Sequence, residues 1–280
     1  NFYIIFEQNL YAMSLKRITA FIALFLAFCP FPASAQKHKF IHYGMENGMS
    51  SNTIFKILQD KDGLMWFGTN DGLTRFDGTT LKTWRNTPSD SRSLGNNSIY
   101  SLKEDMNGTL YIGTENGLYA FDKNEELFTE ILTPKSLPEA EMNSLSNILV
   151  RSLDLDKKNR LWIATLGQGL LRYDIETGRL IRFSKGKDNK FGIDSDYITS
   201  VLCDGRGRTW CTNASQNIYL YDDDKNMFSR IHIYDERAKA EGNAAFSLCE
   251  DYQGNIWIGG WGNGLFRYDK TSGSFTNYRL

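Results

Sequence analysis

Six side chains in this sequence have the chemistry of a saccharide site. Trp261 offers a flat apolar face to the C–H side of a sugar ring, and the amides of Asn263, Gln216, Gln168 and Asn70 can exchange hydrogen bonds with hydroxyls. These five residues lie in short loops: Asn70-Asp71, Leu166-Gly-Gln168, Ala214-Ser-Gln216 and Trp261-Gly-Asn263, with Glu115-Asn116 as a fifth loop of the same kind. Trp261 stands out because no other of these loops carries an aromatic residue, although it can equally pack under its own Gly-rich loop. Arg151 interrupts an apolar run at a position that Phe55, Tyr100, Thr199 and Phe246 fill in related segments. From an inner strand it can bind an acidic sugar or a sulfate, or pair with Asp154. Arg92 reads as a solvated charge.

Catalytic signatures are thin. There is no G-x-S-x-G, no H-E-x-x-H and no P-loop. Gly205-Arg-Gly207 lacks the third glycine of a dinucleotide loop and reads as a turn. The histidines are His38, His42 and His232, and the first two fall near the start of the expected exported chain, which weakens a His-based lyase mechanism. Asp222-Asp-Asp224 lacks the alternating ligands and the Gly of a calcium loop, so a solvated turn is the better reading. No Cys/His spacing suggests zinc, and no pair of carboxylates is singled out for glycoside hydrolysis. No metal or cofactor is expected.

The elements that must position these residues are repeats. The stretch Asn52–Asp77, N-T-I-F-K-I-L-Q-D-K-D-G-L-M-W-F-G-T-N-D-G-L-T-R-F-D, recurs four more times. Each copy runs from an apolar segment through D-x-x-G/N-x-x-W/Y to G-L-x-x-F/Y-D. The turn acids are Asp60, Asp105, Asp156, Asp204 and Asp251, and the aromatic follows at Trp66, Tyr111, Trp162, Trp210 and Trp257. The closing acids, Asp77, Asp122, Asp174, Asp222 and Asp269, are spaced by 45, 52, 48 and 47 residues. Such a period marks a repeat architecture. Asp-x-x-Gly and Asn-Asp-Gly turns divide each copy into four short strands, which predicts an all-β chain of four-stranded antiparallel β-propeller blades, with a solenoid of sheets as the alternative. The repeats fall near 52–84, 97–131, 146–183, 196–231 and 243–278. The turn Asp residues are expected to accept backbone N–H bonds and the aromatics to pack between blades, a structural role. Ser101, Ser152, Ser200 and Ser247, four residues before the turn acid, also read as structural, with Lys56 taking the remaining copy.

Aromatics make up 14% of the chain and prolines number only 5, as suits short strands. A net charge of −1 without a Lys/Arg stripe argues against nucleic acid as a partner. Residues 1–12 read as a leader or misassigned start. Residues 13–35 read as a secretory signal: Lys16-Arg17, an apolar run over Ile18–Phe28 and a small-x-small site at Ala33-Ser-Ala35, giving a mature chain, 36–280, that starts near Gln36. Cys203, Cys211 and Cys249 then remain, and free buried thiols are expected. Phe40–Tyr43 resembles the fourth strands of the repeats. It would be a strand beyond five complete sets of four, which implies an incomplete part of a larger, seven-bladed propeller, or else a closed five-bladed ring with one strand displaced.

The segments S-S-N-T-I-F-K-I-L-Q-D-K-D-G-L-M-W-F-G-T-N-D-G-L-T-R-F-D-G, N-S-I-Y-S-L-K-E-D-M-N-G-T-L-Y-I-G-T-E-N-G-L and I-W-I-G-G-W-G-N-G-L-F-R-Y-D resemble the two-component regulator propeller repeat. The resemblance covers residues 40–280. It implies the extracytoplasmic, periplasmic sensor region of a hybrid two-component system histidine kinase, with two seven-bladed propellers before a membrane-linked kinase. It further implies an oligosaccharide ligand from polysaccharide breakdown, control of the genes that use it, and a possible homodimer through the parent protein. No kinase or receiver is present in these 280 residues, so no enzyme activity is expected of them. A propeller enzyme, glycosidase or lyase, and a stand-alone protein-binding propeller are the alternatives.

Overall fold

Apolar runs broken by Asp/Asn–Gly turns fold each repeat into an antiparallel meander. A computed structural model of the chain describes residues 40–132, 148–186, 191–215, 217–232, 245–260 and 264–278. The leader and signal segments, Gln216, Trp261 and Asn263 lie outside these residues. Two units are distinguishable, 1–42 and 43–280, and every strand belongs to the second. The first sheet comprises β1 (Ile54–Gln59), β2 (Met65–Thr69), β3 (Gly72–Phe76) and β4 (Leu81–Trp84). The second comprises β5 (Ile99–Glu104), β6 (Leu110–Thr114), β7 (Gly117–Asp122) and β8 (Leu127–Leu132). The third comprises β9 (Leu149–Leu155), β10 (Arg160–Leu166), β11 (Leu170–Asp174) and β12 (Leu180–Phe183). The fourth comprises β13 (Ile198–Cys203), β14 (Thr209–Asn213), β15 (Asn217–Asp222) and β16 (Met227–His232). The fifth comprises β17 (Ala245–Glu250), β18 (Ile256–Gly260), β19 (Leu265–Tyr268) and β20 (Phe275–Tyr278). Each sheet keeps sequence order, so each is a propeller blade, as the repeat predicts.

The innermost strands β1, β5, β9, β13 and β17 pack on one another in series. No comparable contact joins β17 back to β1 among the described residues. The end blades show it in their exposure. Ile57 on β1 is 53% exposed and Tyr278 on β20 is 46% exposed, whereas β5, β9 and β13 are largely buried. The five-blade series is therefore open, not a closed five-bladed ring. Phe40–Tyr43 forms no strand, contrary to expectation. A 3₁₀ turn at Met45–Asn47 begins directly after it, with Gly44 N–H on Asn47 Oδ1 at 3.0 Å, and the Tyr43 ring meets Phe76 at 5.0 Å instead of pairing along a strand.

The core lies between blades. Trp66 and Leu73 of the first blade share a buried cluster with Ile99, Leu102 and Phe121 of the second. Tyr111 does the same between the second and third blades, Trp162 between the third and fourth, and Trp210 between the fourth and fifth. Each of these aromatics thus anchors the blade that follows it. Trp257, in the last blade, is only half-buried against Tyr278.

The turn acid holds that aromatic in place. Asp60 Oδ1 accepts the N–H groups of Asp62 (3.0 Å) and Leu64 (2.9 Å), and Oδ2 accepts Trp66 Nε1–H at 2.8 Å. The indole bond recurs at Asp156–Trp162 (2.8 Å), Asp204–Trp210 (2.9 Å) and Asp251–Trp257 (2.8 Å). Asp105 keeps the turn bonds, to Asn107 and Thr109 N–H at 2.9 Å each. The turn requires a left-handed residue, which Gly63 supplies at φ 85° and Asn159 supplies in the third blade at φ 55°. The repeated serines link blades. Ser101 Oγ donates to Val150 O at 3.2 Å, Val201 N–H donates to Ser152 Oγ at 3.3 Å, and Leu248 N–H donates to Ser200 Oγ at 3.3 Å. Gly113 permits this approach, because a Cβ there would collide with Ser101 Oγ and Val150.

Two consequences are measurable. Asp204→Ala removes the partner of a fully buried indole and of Arg208, so it should destabilise the chain by about 3 kcal/mol. Asp251→Ala, beside a half-buried Trp257, should cost clearly less. Urea titration followed by tryptophan fluorescence checks the order, and equal losses would contradict it. The acids also set an acid limit. Burial pushes the Asp60 and Asp204 carboxyls up, but the indole, amide and cation donors outweigh it, and both sit below the ordinary range. Against burial, Arg160 and Lys158 hold Asp223 at about 2, and Trp257 and Asn255 hold Asp251 at about 2. Depressed folded values add stability above the unfolded carboxylate range that is lost as pH falls through them. Unfolding should therefore set in between about pH 4 and about pH 2, readable by circular dichroism.

Candidate functional site

The loops joining the second and third strands of the blades carry the described amides, and they treat them differently. Asn70 is exposed, with its N–H directed to Thr53 O at 3.4 Å. Its neighbour Asp71 is engaged by Arg85 Nε at 3.1 Å and Asn97 Nδ2 at 3.3 Å. Gln168 is 1% exposed. Gly167 and Gly169 flank it at φ 113° and 78°, and both donate N–H bonds to Asp196 O, at 2.9 and 2.8 Å. Its own backbone is satisfied, the N–H by Thr165 Oγ1 at 3.1 Å and the carbonyl by Arg182 Nε at 2.9 Å. Its side-chain Nε2 and Oε1 are both buried without a partner. Among the described residues it alone leaves a donor and an acceptor unfilled together. On the neighbouring blade, Asn116 Oδ1 is also buried and unpartnered. Asn116 was legible as a loop residue but carried no sign of this role, because burial of one atom depends on the fold around the loop.

A second set of side chains stands on the inner edge. In all five blades the pairing of the innermost strand with the second strand skips one residue: Phe55, Tyr100, Arg151, Thr199 and Phe246. A β-bulge at the same place in every blade re-aims these side chains. Phe55 and Tyr100 stack at 4.7 Å with 14° between planes, and the Arg151 guanidinium carbon lies 5.9 Å from the Tyr100 ring centre. Pairing of Arg151 with Asp154 does not occur. Asp154 is bound by Lys103 Nζ at 2.5 Å and by Cys203 N–H at 2.7 Å. Asp154 thus turns to its neighbours in adjacent blades.

The acids at the opposite end serve the scaffold. Asp60, Asp62 and Glu104 bring three carboxylates close enough to share a cation. The cation there is Lys123, whose Nζ lies 3.0, 2.8 and 2.7 Å from them. Burial works against its charge, but the three carboxylates outweigh it and hold its pKa above the ordinary lysine value. Asp223 and Asp224 lie in an exposed turn, as expected, and from it Asp223 also binds Arg160 Nη1 at 2.8 Å and Lys158, tying the third blade to the fourth. Arg92 is 68% exposed and reaches only Asp90, at 3.8 Å. Cys203, Cys211 and Cys249 are all free, but Cys249 is exposed, not buried, since its strand β17 lies on the uncovered end blade. Burial pushes the Cys211 thiol up, and burial with Asp154 nearby does the same for Cys203.

The family model of the two-component regulator propeller matches residues 48–71, 93–116 and 241–262, which fall in the first, second and fifth blades. The chain carries the two-component regulator propeller repeat. Histidine kinase P4 of Formosa agariphila is 37% identical over 82 residues, which cover 29% of this chain and 6% of that kinase. The extracellular domain of a hybrid two-component system from B. thetaiotaomicron superposes at a TM-score of 0.69 with 23% identity, over 84% of this chain and 31% of that one. Virginiamycin B lyase from Staphylococcus aureus, solved in an inactive form with quinupristin, gives 0.64 at 14% identity, over 87% and 75%. At these identities the superpositions establish the fold. The chain thus spans about a third of the sensor domain and a small fraction of the kinase. Among the described residues no helix is long and apolar enough to cross a membrane.

In this repeat array Lys123 is a clasp between the first two blades. Lys123→Met should destabilise the chain by about 3 kcal/mol, because it leaves three carboxylates crowded without their cation. Urea titration of both chains checks this, and an unchanged midpoint would contradict it.

Proposed function

We propose that this chain is part of the extracytoplasmic sensing propeller of a hybrid two-component regulator. On this reading it is exported to the periplasm, binds an oligosaccharide released from a polysaccharide, and contributes to control of the genes that use it. Further blades and a membrane-linked kinase in the parent protein supply the output, with a homodimer formed through the parent. The chain itself binds and does not catalyse. The repeat and the kinship with a histidine kinase support the sensor part.

One observation carries the ligand part: the buried Gln168 amide with both polar atoms unfilled. A carboxamide left so is costly unless something completes its bonds. A sugar hydroxyl is donor and acceptor at once, and a vicinal pair matches the two ends of an amide. Trp261 and Asn263, on the equivalent loop of the fifth blade, and Gln216, on that of the fourth, are proposed as further contacts, with Asn70 at the exposed rim.

Isothermal titration of the purified chain with a panel of neutral and acidic oligosaccharides tests the reading. Gln168→Leu should weaken the best binder by about tenfold or more, as for a lost hydrogen-bond pair in a buried site. The same variant should melt at the same or a higher temperature, since it removes unfilled polar atoms from the interior. A panel in which nothing binds the native chain would sink the oligosaccharide reading. Unchanged affinity in Gln168→Leu would remove Gln168 from the site.

A further inference from the structure

Many charged groups of the repeat pair with an opposite charge in their own blade or the next, and Arg151 is among those that do not. It is half-buried, it occupies the bulge position of the third blade, and among the described residues its guanidinium makes no ion pair and no hydrogen bond. The neighbouring Asp154 is already taken by Lys103. The Arg151 guanidinium lies over the face of Tyr100, which in turn lies against Phe55. A bulge in each of five blades brings this row to the inner edge, where the innermost strands meet. Lys56, next to the first bulge, adds a second cation that makes no ion pair among the described residues.

We infer that the inner edge is an anion site for an acidic saccharide, with Arg151 binding a carboxylate or sulfate group and the Phe55–Tyr100 stack carrying the ring. The chemistry follows from the groups present. A guanidinium backed by an aromatic face is held flat and keeps its N–H fork free, the geometry that grips a carboxylate or sulfate through two parallel bonds. Aromatic faces beside it can accept the C–H side of a sugar. A neutral saccharide would leave the guanidinium unfilled, so the site selects for charge. This inference rests on the oligosaccharide reading above and narrows its ligand class.

The test uses the full chain and three probes in isothermal titration: tetragalacturonate for carboxylate, a chondroitin sulfate disaccharide for sulfate, and xylotetraose as the neutral control. At least one acidic probe should bind more tightly than xylotetraose, and its affinity should fall with added salt. Arg151→Gln should weaken that probe by at least about tenfold, as expected for a lost charge-assisted pair, and Arg151→Lys by less. Both variants should keep nearly the native melting temperature, because among the described residues Arg151 has no ion pair or hydrogen bond to lose. Phe55→Ala should weaken the same probe without changing the preference for charge. Acidic probes that bind no better than xylotetraose, or an Arg151→Gln chain with native affinity, would overturn the inference. Tight xylotetraose binding that ignores Arg151 would overturn it while leaving the oligosaccharide reading intact. Failure of all three probes together with the wider panel would overturn both.

Discussion

A buried indole needs a partner for its N–H, and in this protein that partner is the turn acid six residues before it. The blades associate by burying aromatic residues in the clusters between them, and Trp66, Trp162 and Trp210 are fully enclosed there. An unsatisfied N–H in such a place would cost a large part of what the packing contributes. The carboxylate answers it, and the carboxylate is itself fixed by two amides of a tight turn. One short motif therefore couples turn geometry, side-chain orientation and the seat of the next blade. Its conformation is local, yet the surface it presents is the interface.

The second oxygen of that acid extends the coupling sideways. Besides the indole, Asp60 accepts Lys123, Asp156 accepts Arg160 and Asp204 accepts Arg208. Lys123 comes from the neighbouring blade, and Arg160 passes the connection on to Asp223 of the blade after its own. The charges at this end are thus consumed by the scaffold, and the three-carboxylate cluster has its cation within the chain. A polar group that escapes this system of pairs is for that reason informative.

The blades were legible in the sequence because the turn motif is spelled out in each copy, and a turn with a fixed left-handed residue leaves strand boundaries little freedom. Phe40–Tyr43 shows the limit of likeness: its residues suit an outer strand, but a strand needs an edge to pair with, and the following Gly44 and Met45–Asn47 turn ends the extended run. Arg151 shows another. Comparing copies found its odd position, while the bulge that makes the position special is a property of pairing with β10 and has no residue signature. Asp154 is the acid near it in sequence. The actual partner, Lys103, comes from another blade, which no local reading could supply. The Asp222–Asp224 triplet is the exposed acidic turn it looks like, but the meeting of Asp223 with Arg160 of another blade has no local signature. Of the loop amides, residue type pointed to Gln168, but its burial without partners depends on the Gly-Gln-Gly backbone folding under the loop.

Repetition also explains why recognition would sit where it is proposed. In a repeat array every blade must spend the same residues on the same joints, so the motif positions are not free to vary in chemistry. Freedom remains at two places: the loops between second and third strands, and the bulge that each innermost strand turns toward its neighbours. At both places the residues vary among the blades, and among the described residues polar groups remain without internal partners at both: the Gln168 amide and Asn116 oxygen on the loops, and the Arg151 guanidinium at the bulge. Removing Gln168 from the interior would relieve a cost, so its presence is the opposite of what stability alone favours. The scaffold thus satisfies the acids of its turns with donors of its own, and on the proposed reading the groups left open are those that meet a ligand.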